Sequence, residues 1–172
     1  MAIHAHRAMH AAFDRNIQHG ITMAFIAKLM RLIGVDQIHC GTAVGKLVGS
    51  RHEVGDIAHV LRSIHASRED KIEEHKHHLL KQEWHHIKPT LPVSSGGVHP
   101  GIIPDILDAL GTDIGLLVSG GIHGHPQGTR AGAKAAMQAI EAYMKGEKLE
   151  EYAKKHIELQ QALEKWGRLR PK

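Results

Sequence analysis

The stretch "DIGLLVSGGIHGHPQGTRAGAKAAMQAIEAYMKG", residues 113–146, decides the fold. Its first part is a short apolar run closed by paired glycines, and its last part, from about Gly128, carries apolar residues at helical spacing. A strand, a glycine-rich loop and a helix make one βα unit. The glycines let backbone N–H groups approach a ligand closely. A helix starting near Gly128 would turn its positive dipole end toward the loop, so the unit predicts an anion site.

The same grammar runs outward toward the start of the chain. "MAIHAH" (1–6) alternates like a strand and is followed by the helical pattern "GITMAFIAKLMRLIG" (20–34), in which Met23, Phe25, Ile26, Leu29 and Met30 are expected in the core. "DQIHCG" (36–41) is a second strand, followed by "HEVGDIAHVLRSI" (52–64), whose apolar face holds Val54, Ile57, Ala58 and Leu61. "PTLPVSSGG" (89–97) is a third, followed by "PGIIPDILDALG" (100–111). Strands alternating with helices predict an α/β fold with a parallel sheet. The amphipathic segment 148–167 predicts one or two further helices covering the end of the fold.

Composition narrows the function. The 172 residues suit one domain, or a piece of a larger one, with a core of aliphatic residues because only 3% are aromatic. A single cysteine, Cys40, excludes an intrachain disulfide framework. No uninterrupted apolar run approaches membrane-spanning length and no signal peptide is visible, so the chain is expected to be soluble, cytoplasmic and free of membrane partners. The net charge of +4 is spread along the chain without aromatic stacking platforms, which argues for an anionic small molecule and against nucleic acid.

The chemically rich residues gather where the strands end: "HAHRAMH", "HCGTAVGK", "SSGGVHPG" and "SGGIHGHPQG". In a barrel these ends share one face, where active sites lie. Ser95 with the Gly96 and Gly97 amides adds donors beside the loop at Gly120 and Gly121. "GTAVGK" is not a nucleotide loop: three residues separate Gly41 from Gly45 where four are needed, and Leu47 stands where a magnesium-binding Ser or Thr belongs. It reads as a lid carrying one lysine, Lys46. At the first strand end, His4 and His6 share a side by the period of two, His6 can move a proton near neutral pH, and Arg7 can clamp a phosphate. His4, His6 and His10 could instead be zinc ligands, but no cysteine or carboxylate nearby completes such a site.

In order and spacing, "HAHRAMHAAFDRN", "DQIHCGTAVGKLVG", "PVSSGGVHPG" and "GGIHGHPQGTRAGA" resemble the C-terminal half of a ribulose-1,5-bisphosphate carboxylase/oxygenase (RuBisCO) large subunit, archaeal form III-like. The resemblance implies a partial (β/α)8 TIM barrel, strands five to eight with their helices, over residues 1–146, and a C-terminal helical extension over 147–172. It implies that His6 lies beside the sugar backbone, that Arg7 and His39 bind one phosphate, and that Ser95, Gly96, Gly97, Gly120 and Gly121 bind substrate and its other phosphate. Lys46 would stabilise the carboxylate formed from carbon dioxide. Ser119 departs from the family's glycine.

The family's activity is a lyase-class, magnesium-dependent carboxylation of ribulose 1,5-bisphosphate to two 3-phosphoglycerate, which an archaeal type would use in nucleotide (AMP) salvage. The magnesium ligands of the complete enzyme, a carbamylated Lys with an Asp and a Glu, have no counterpart here: "SREDK" lies in a polar insert and "KLEEY" in the terminal helix. The chain alone is therefore expected to be inactive, with the missing N-terminal half on another chain or the chain a homo-oligomer. The alternatives are a self-associating half-barrel that binds sugar phosphates without catalysis, and a RuBisCO-like enolase or isomerase, against which Lys46 argues. The insert at 64–86 holds His75, His77, His78, His85 and His86 and reads as a solvated helix. His99, His123 and His125 are expected at the rim of the site.

Overall fold

The computed structural model of the chain describes residues 1–16, 18–44, 51–63, 65–66 and 82–168. A four-stranded sheet is built from β1 (His4–Ala5), β2 (Gln37–Gly41), β5 (Leu91–Ser95) and β6 (Gly115–Leu117). They lie in that order and every neighbouring pair is parallel. The crossover helices are α2 (Met23–Ile33), α3 (Arg51–Arg62) and α4 (Ile103–Leu110), the last entered through a 3-10 turn at Pro100–Ile102; a short α1 (Ala11–Asp14) precedes α2. After β6 come α5 (Gly120–His123), α6 (Thr129–Met144), α7 (Leu149–Ala153) and α8 (Ile157–Trp166). The expected α/β parallel sheet is present, with each strand beside its predecessor.

Local chemistry explains the boundaries. The Thr22 hydroxyl accepts the Phe25 N–H at 3.2 Å and starts α2, and Gly34 ends it in the left-handed region at φ 94°. Val54, Ile57, Ala58 and Leu61 of α3 are buried as their spacing predicts, and they meet Met23 and Ala27 of α2 and Ile103 and Ile106 of α4 in one core. Burying a side chain of this size stabilises the fold by roughly 1.5–3 kcal/mol. Phe25 and Leu29 depart from expectation, at 48% and 39% exposure. They share a stripe of α2 with Leu32 and Ile33, opposite the stripe of Met23 and Ala27 that faces the core, so α2 is apolar on two sides.

Two polar devices fasten the N-terminal ends of the strands. The Asp36 carboxylate accepts the Ile3 N–H at 2.7 Å and pairs with Lys88, and the Thr90 hydroxyl donates to Val35 O at 2.9 Å. Arg31 of α2 is fully buried and donates to four backbone carbonyls: Val60 at 2.6 Å, Ser63 at 2.8 Å, Lys88 at 3.1 Å and Ile87 at 3.3 Å. Its guanidinium carbon lies 4.2 Å from the centroid of the Trp84 ring. The insert read as a helix is different where it is described. β3 (His65–Ala66) and β4 (Gln82–Glu83) pair antiparallel, so its two ends form a ladder. His75, His77 and His78 lie outside the described residues; His85 and His86 are exposed.

Candidate functional site

The C-terminal strand ends form two adjoining clusters. The first is built of histidines. His4 of β1 and His6, one residue past its end, both bring their rings to His39, with centroids 4.8 and 4.6 Å away, as a period of two predicts. His39 is 5% exposed and bridges His4 and Ser95: its Nε2 lies 2.7 Å from His4 Nε2 and its Nδ1 2.7 Å from Ser95 Oγ. Burial, then the positive charge of His6, His4 and Arg7, pushes His39 below its ordinary value, so the neutral ring is favoured.

Arg7 follows at the end of β1, with Nη1 3.4 Å from Cys40 O. Burial lowers its pKa, against Cys40, Asp14 and Glu53, which raise it. The β2 ladder slips between His39 and Gly41, and Gly41 sits at φ 112°. A side chain there would press on the guanidinium, because an added Cβ would stand 3.3 Å from Arg7 Nη2 and 3.2 Å from Val54. The glycine thus admits Arg7 to the cluster. Cys40, buried beside it, has its thiol pushed up to about 11 by burial and so stays protonated.

The second cluster is a cavity of about 570 Å³ lined by Gly96, Gly97, Ser119, Gly120 and Gly121 together with His99, Lys165 and Trp166. The Thr42 hydroxyl ties the two clusters, lying 2.7 Å from Ser95 O and 2.6 Å from Gly96 O. Gly121 is glycine by necessity: an added Cβ would meet Val98 O at 2.4 Å. The helix facing this cavity is not the one expected. The short α5 begins at Gly120, with Ser119 O accepting the N–H groups of Ile122 at 2.9 Å and His123 at 3.0 Å. α6 starts one residue beyond Gly128 as predicted, but Gln127 and Arg130 at its N-terminus line a different cavity. Residues 120–123 gave no helical signal because two of the four are glycine and the run is one turn long.

His6, Arg7, His39, Ser95, Gly96, Gly97, Gly120 and Gly121 thus gather at one end of the sheet, whereas Lys46 lies outside the described residues. Of the three histidines expected at the rim, only His99 lines the cavity, stacked on Trp166 with centroids 5.9 Å apart. His125 is buried and structural, its Nε2 donating to Glu158 O at 2.9 Å while its Nδ1 accepts the Gln127 N–H at 3.0 Å. His123 contacts Thr129 at 3.2 Å. His10 is engaged with Asp14 at 2.6 Å, apart from His4 and His6 as a ligand set. The sequence reading missed Thr42, Lys165 and Trp166. Lys165 Nζ donates to Gly124 O at the end of α5, a contact that the amphipathic pattern of α8 could not announce.

Residues 1–166 match the family profile "Ribulose bisphosphate carboxylase large chain, catalytic domain". The chain belongs to that family. Among carboxylases of this name it is 51% identical to that of Archaeoglobus fulgidus and 53% identical to that of Thermococcus onnurineus, each over 99% of this chain and 38% of the relative. The dimeric archaeal Rubisco of Hyperthermus butylicus superposes with a TM-score of 0.86 at 46% identity, covering 98% of this chain and 38% of that one. The octameric Rubisco of Pyrococcus horikoshii superposes at 0.82 and 47% identity, covering 97% and 36%. The chain therefore spans little more than a third of the length of these carboxylases.

Magnesium, which membership in the family implies, is not fitted by the residues described. No group of three His, Cys, Asp or Glu among them could hold a metal ion. On α7, Glu151 pairs with Lys154 and Glu150 with Arg168. Among the described residues, no helix is long and apolar enough to cross a membrane.

Proposed function

We propose that this chain carries the substrate-phosphate half of a ribulose-1,5-bisphosphate carboxylase site, with residues 1–146 as strands five to eight of a (β/α)8 barrel and 147–172 as a helical extension. The observation that carries the reading is the meeting of a cationic, histidine-lined cluster and a glycine-lined cavity at the same strand ends. Arg7, with its fixed fork of donors, would hold one phosphate with His39 beside it, and His6 would stand beside the sugar. Ser95 and the N–H groups of Gly96, Gly97, Gly120 and Gly121 would hold the other end, and Lys46 would meet the carboxylate formed from carbon dioxide. Magnesium, with a carbamylated Lys, an Asp and a Glu, would be supplied from residues outside this chain.

In the whole enzyme the reaction would join carbon dioxide to ribulose 1,5-bisphosphate and give two 3-phosphoglycerate, in nucleotide (AMP) salvage in an archaeal cytoplasm. Calorimetry with ribulose 1,5-bisphosphate on the purified chain tests the binding half: we expect saturable binding that Arg7→Ala weakens at least tenfold. The chemical half is tested with magnesium and labelled bicarbonate. We expect no fixation by the chain alone, and fixation at an ordinary enzymatic rate would overturn the reading.

A second reading, a self-associating half-barrel that binds sugar phosphates, is favoured by one observation. Among the described residues β1 has β2 alone as a partner in the sheet, and Ile3 just before β1, Phe13 of α1, and Phe25, Leu32 and Ile33 of α2 are exposed. Size-exclusion chromatography separates a single chain of 18.9 kDa from a pair.

A further inference from the structure

Three ring contacts line up from the outer edge of the sheet to its buried interior. Gln37 Oε1 lies 2.9 Å from His4 Nδ1, His4 Nε2 lies 2.7 Å from His39 Nε2, and His39 Nδ1 lies 2.7 Å from Ser95 Oγ. His4 is exposed and Gln37 half-buried, whereas His39 and Ser95 are buried, so the row leads from solvent to a hidden hydroxyl. A neutral imidazole has one N–H and one lone pair, and a close contact between two ring nitrogens needs one proton between them. The tautomers of His4 and His39 are therefore coupled, and a choice at one end propagates to the other.

We propose that Gln37 is a positioning residue that sets the tautomer of His39 through His4, and with it the direction of the Ser95 hydroxyl. With the Gln37 carbonyl toward His4, His4 carries its proton on Nδ1 and accepts at Nε2. His39 then carries its proton on Nε2 and accepts at Nδ1 from Ser95 O–H. In that polarity Ser95 has only a lone pair left for a ligand. With the Gln37 amide reversed, its NH₂ donates to His4 Nδ1 and each proton moves to the opposite nitrogen: His4 Nε2–H donates to His39, and His39 Nδ1–H donates to Ser95. The Ser95 proton is then free to meet a ligand oxygen. No net charge moves in the reversal, and an anionic oxygen favours the second polarity because it accepts only and needs a donor.

Burial, then the positive charge of His6 and Arg7 from the β1 end, favours the neutral ring of His39, while Glu53 of α3 acts on Arg7. The ligand half of this inference rests on the proposed role of Ser95 in binding, and the tautomer half does not.

The test uses the whole chain labelled with ¹⁵N-histidine, whose long-range ¹⁵N–¹H spectra distinguish Nδ1–H from Nε2–H rings. In the wild-type chain without ligand we expect His4 as Nδ1–H and His39 as Nε2–H. Gln37→Glu sets a carboxylate against His4 Nδ1 and favours the imidazolium, which donates at both nitrogens, so His39 should accept at Nε2 and switch to Nδ1–H. Gln37→Met offers neither group and should release His39 into a mixture of tautomers. Identical His39 signals in Gln37→Met and wild type would overturn the proposal, as would a His39 that stays Nε2–H in Gln37→Glu. If Ser95→Ala binds ribulose 1,5-bisphosphate as tightly as wild type, the role of Ser95 in the proposed function falls, while a His39 shift in Gln37→Met still supports the coupling.

Discussion

At the scale of single residues the energetics concentrate on groups that have no margin. Arg31 satisfies four carbonyls from inside the protein, so Arg31→Met, with similar reach and no donors, strands them all. We expect a loss of roughly 3 kcal/mol in urea denaturation; a loss below about 1 kcal/mol would show that water replaces the guanidinium. Gly121→Ala should distort the contact with Val98 O and weaken sugar-bisphosphate binding measured by calorimetry, with a smaller effect from Gly120→Ala, where an added Cβ meets nothing within 4 Å. His39 supplies a pH signature. Its pKa in the folded chain lies below the ordinary 6.5, so its contribution to stability is present above 6.5 and is lost as pH falls through the folded value. The stability difference between wild type and His39→Asn should therefore shift toward the variant as denaturation is repeated from pH 7.5 down to pH 5. The gathering of the glycines, His6 and Arg7 was legible because each directly follows a strand in the alternating pattern. Arg31 was not: its acceptors lie 29 to 57 residues away in the chain, and helical spacing marks it only as a polar interruption.

Among the elements, α8 is held to α6 by a polar knot. The Glu158 carboxylate accepts Lys134 Nζ at 2.6 Å and Gln138 Nε2 at 2.9 Å, while Gln138 Oε1 accepts the Leu159 N–H at 3.0 Å. These hydrogen bonds hold Glu158 down to about 2, well below the ordinary 4.5. The stabilisation is thus complete above pH 4.5 and lost as pH falls toward 2. Glu158→Gln should melt at a lower temperature than wild type at pH 7, and the gap should narrow in scans at pH 3. Trp166→Ala removes the partner of His99 and one wall of the cavity, so it should weaken phosphate-analogue binding while leaving the far-ultraviolet circular dichroism unchanged. The amphipathic period announced both α6 and α8. It gave no sign that Lys165 and Trp166 would meet Gly124 and His99, because a hydrophobic pattern identifies a buried face and not what that face is buried against.

For the whole molecule, the parallel sheet followed from the alternation of strands and helices, and the strand order followed from chain order. What the pattern hid was the second apolar side of α2. Residues 25, 29, 32 and 33 have the spacing of a buried helix face, yet all four are exposed, Ile33 at 71%. Sedimentation velocity should show association that grows with concentration and fades in Phe25→Asp/Leu32→Asp; a concentration-independent single species in wild type would count against any cover supplied by another copy.

The place of α8 in the chain gives the cavity a history as well as a shape. Each strand of the sheet finds its neighbour already made, because β2 follows β1, β5 follows β2 and β6 follows β5 along the chain. The cavity wall is different, since Lys165 and Trp166 come from a helix made after every strand. During synthesis on a ribosome the sheet can therefore assemble progressively, while the cavity is completed in a late, separate event. A chain released before Lys165 would carry its glycines and histidines with that wall missing, so a finished cavity reports that translation has passed α8.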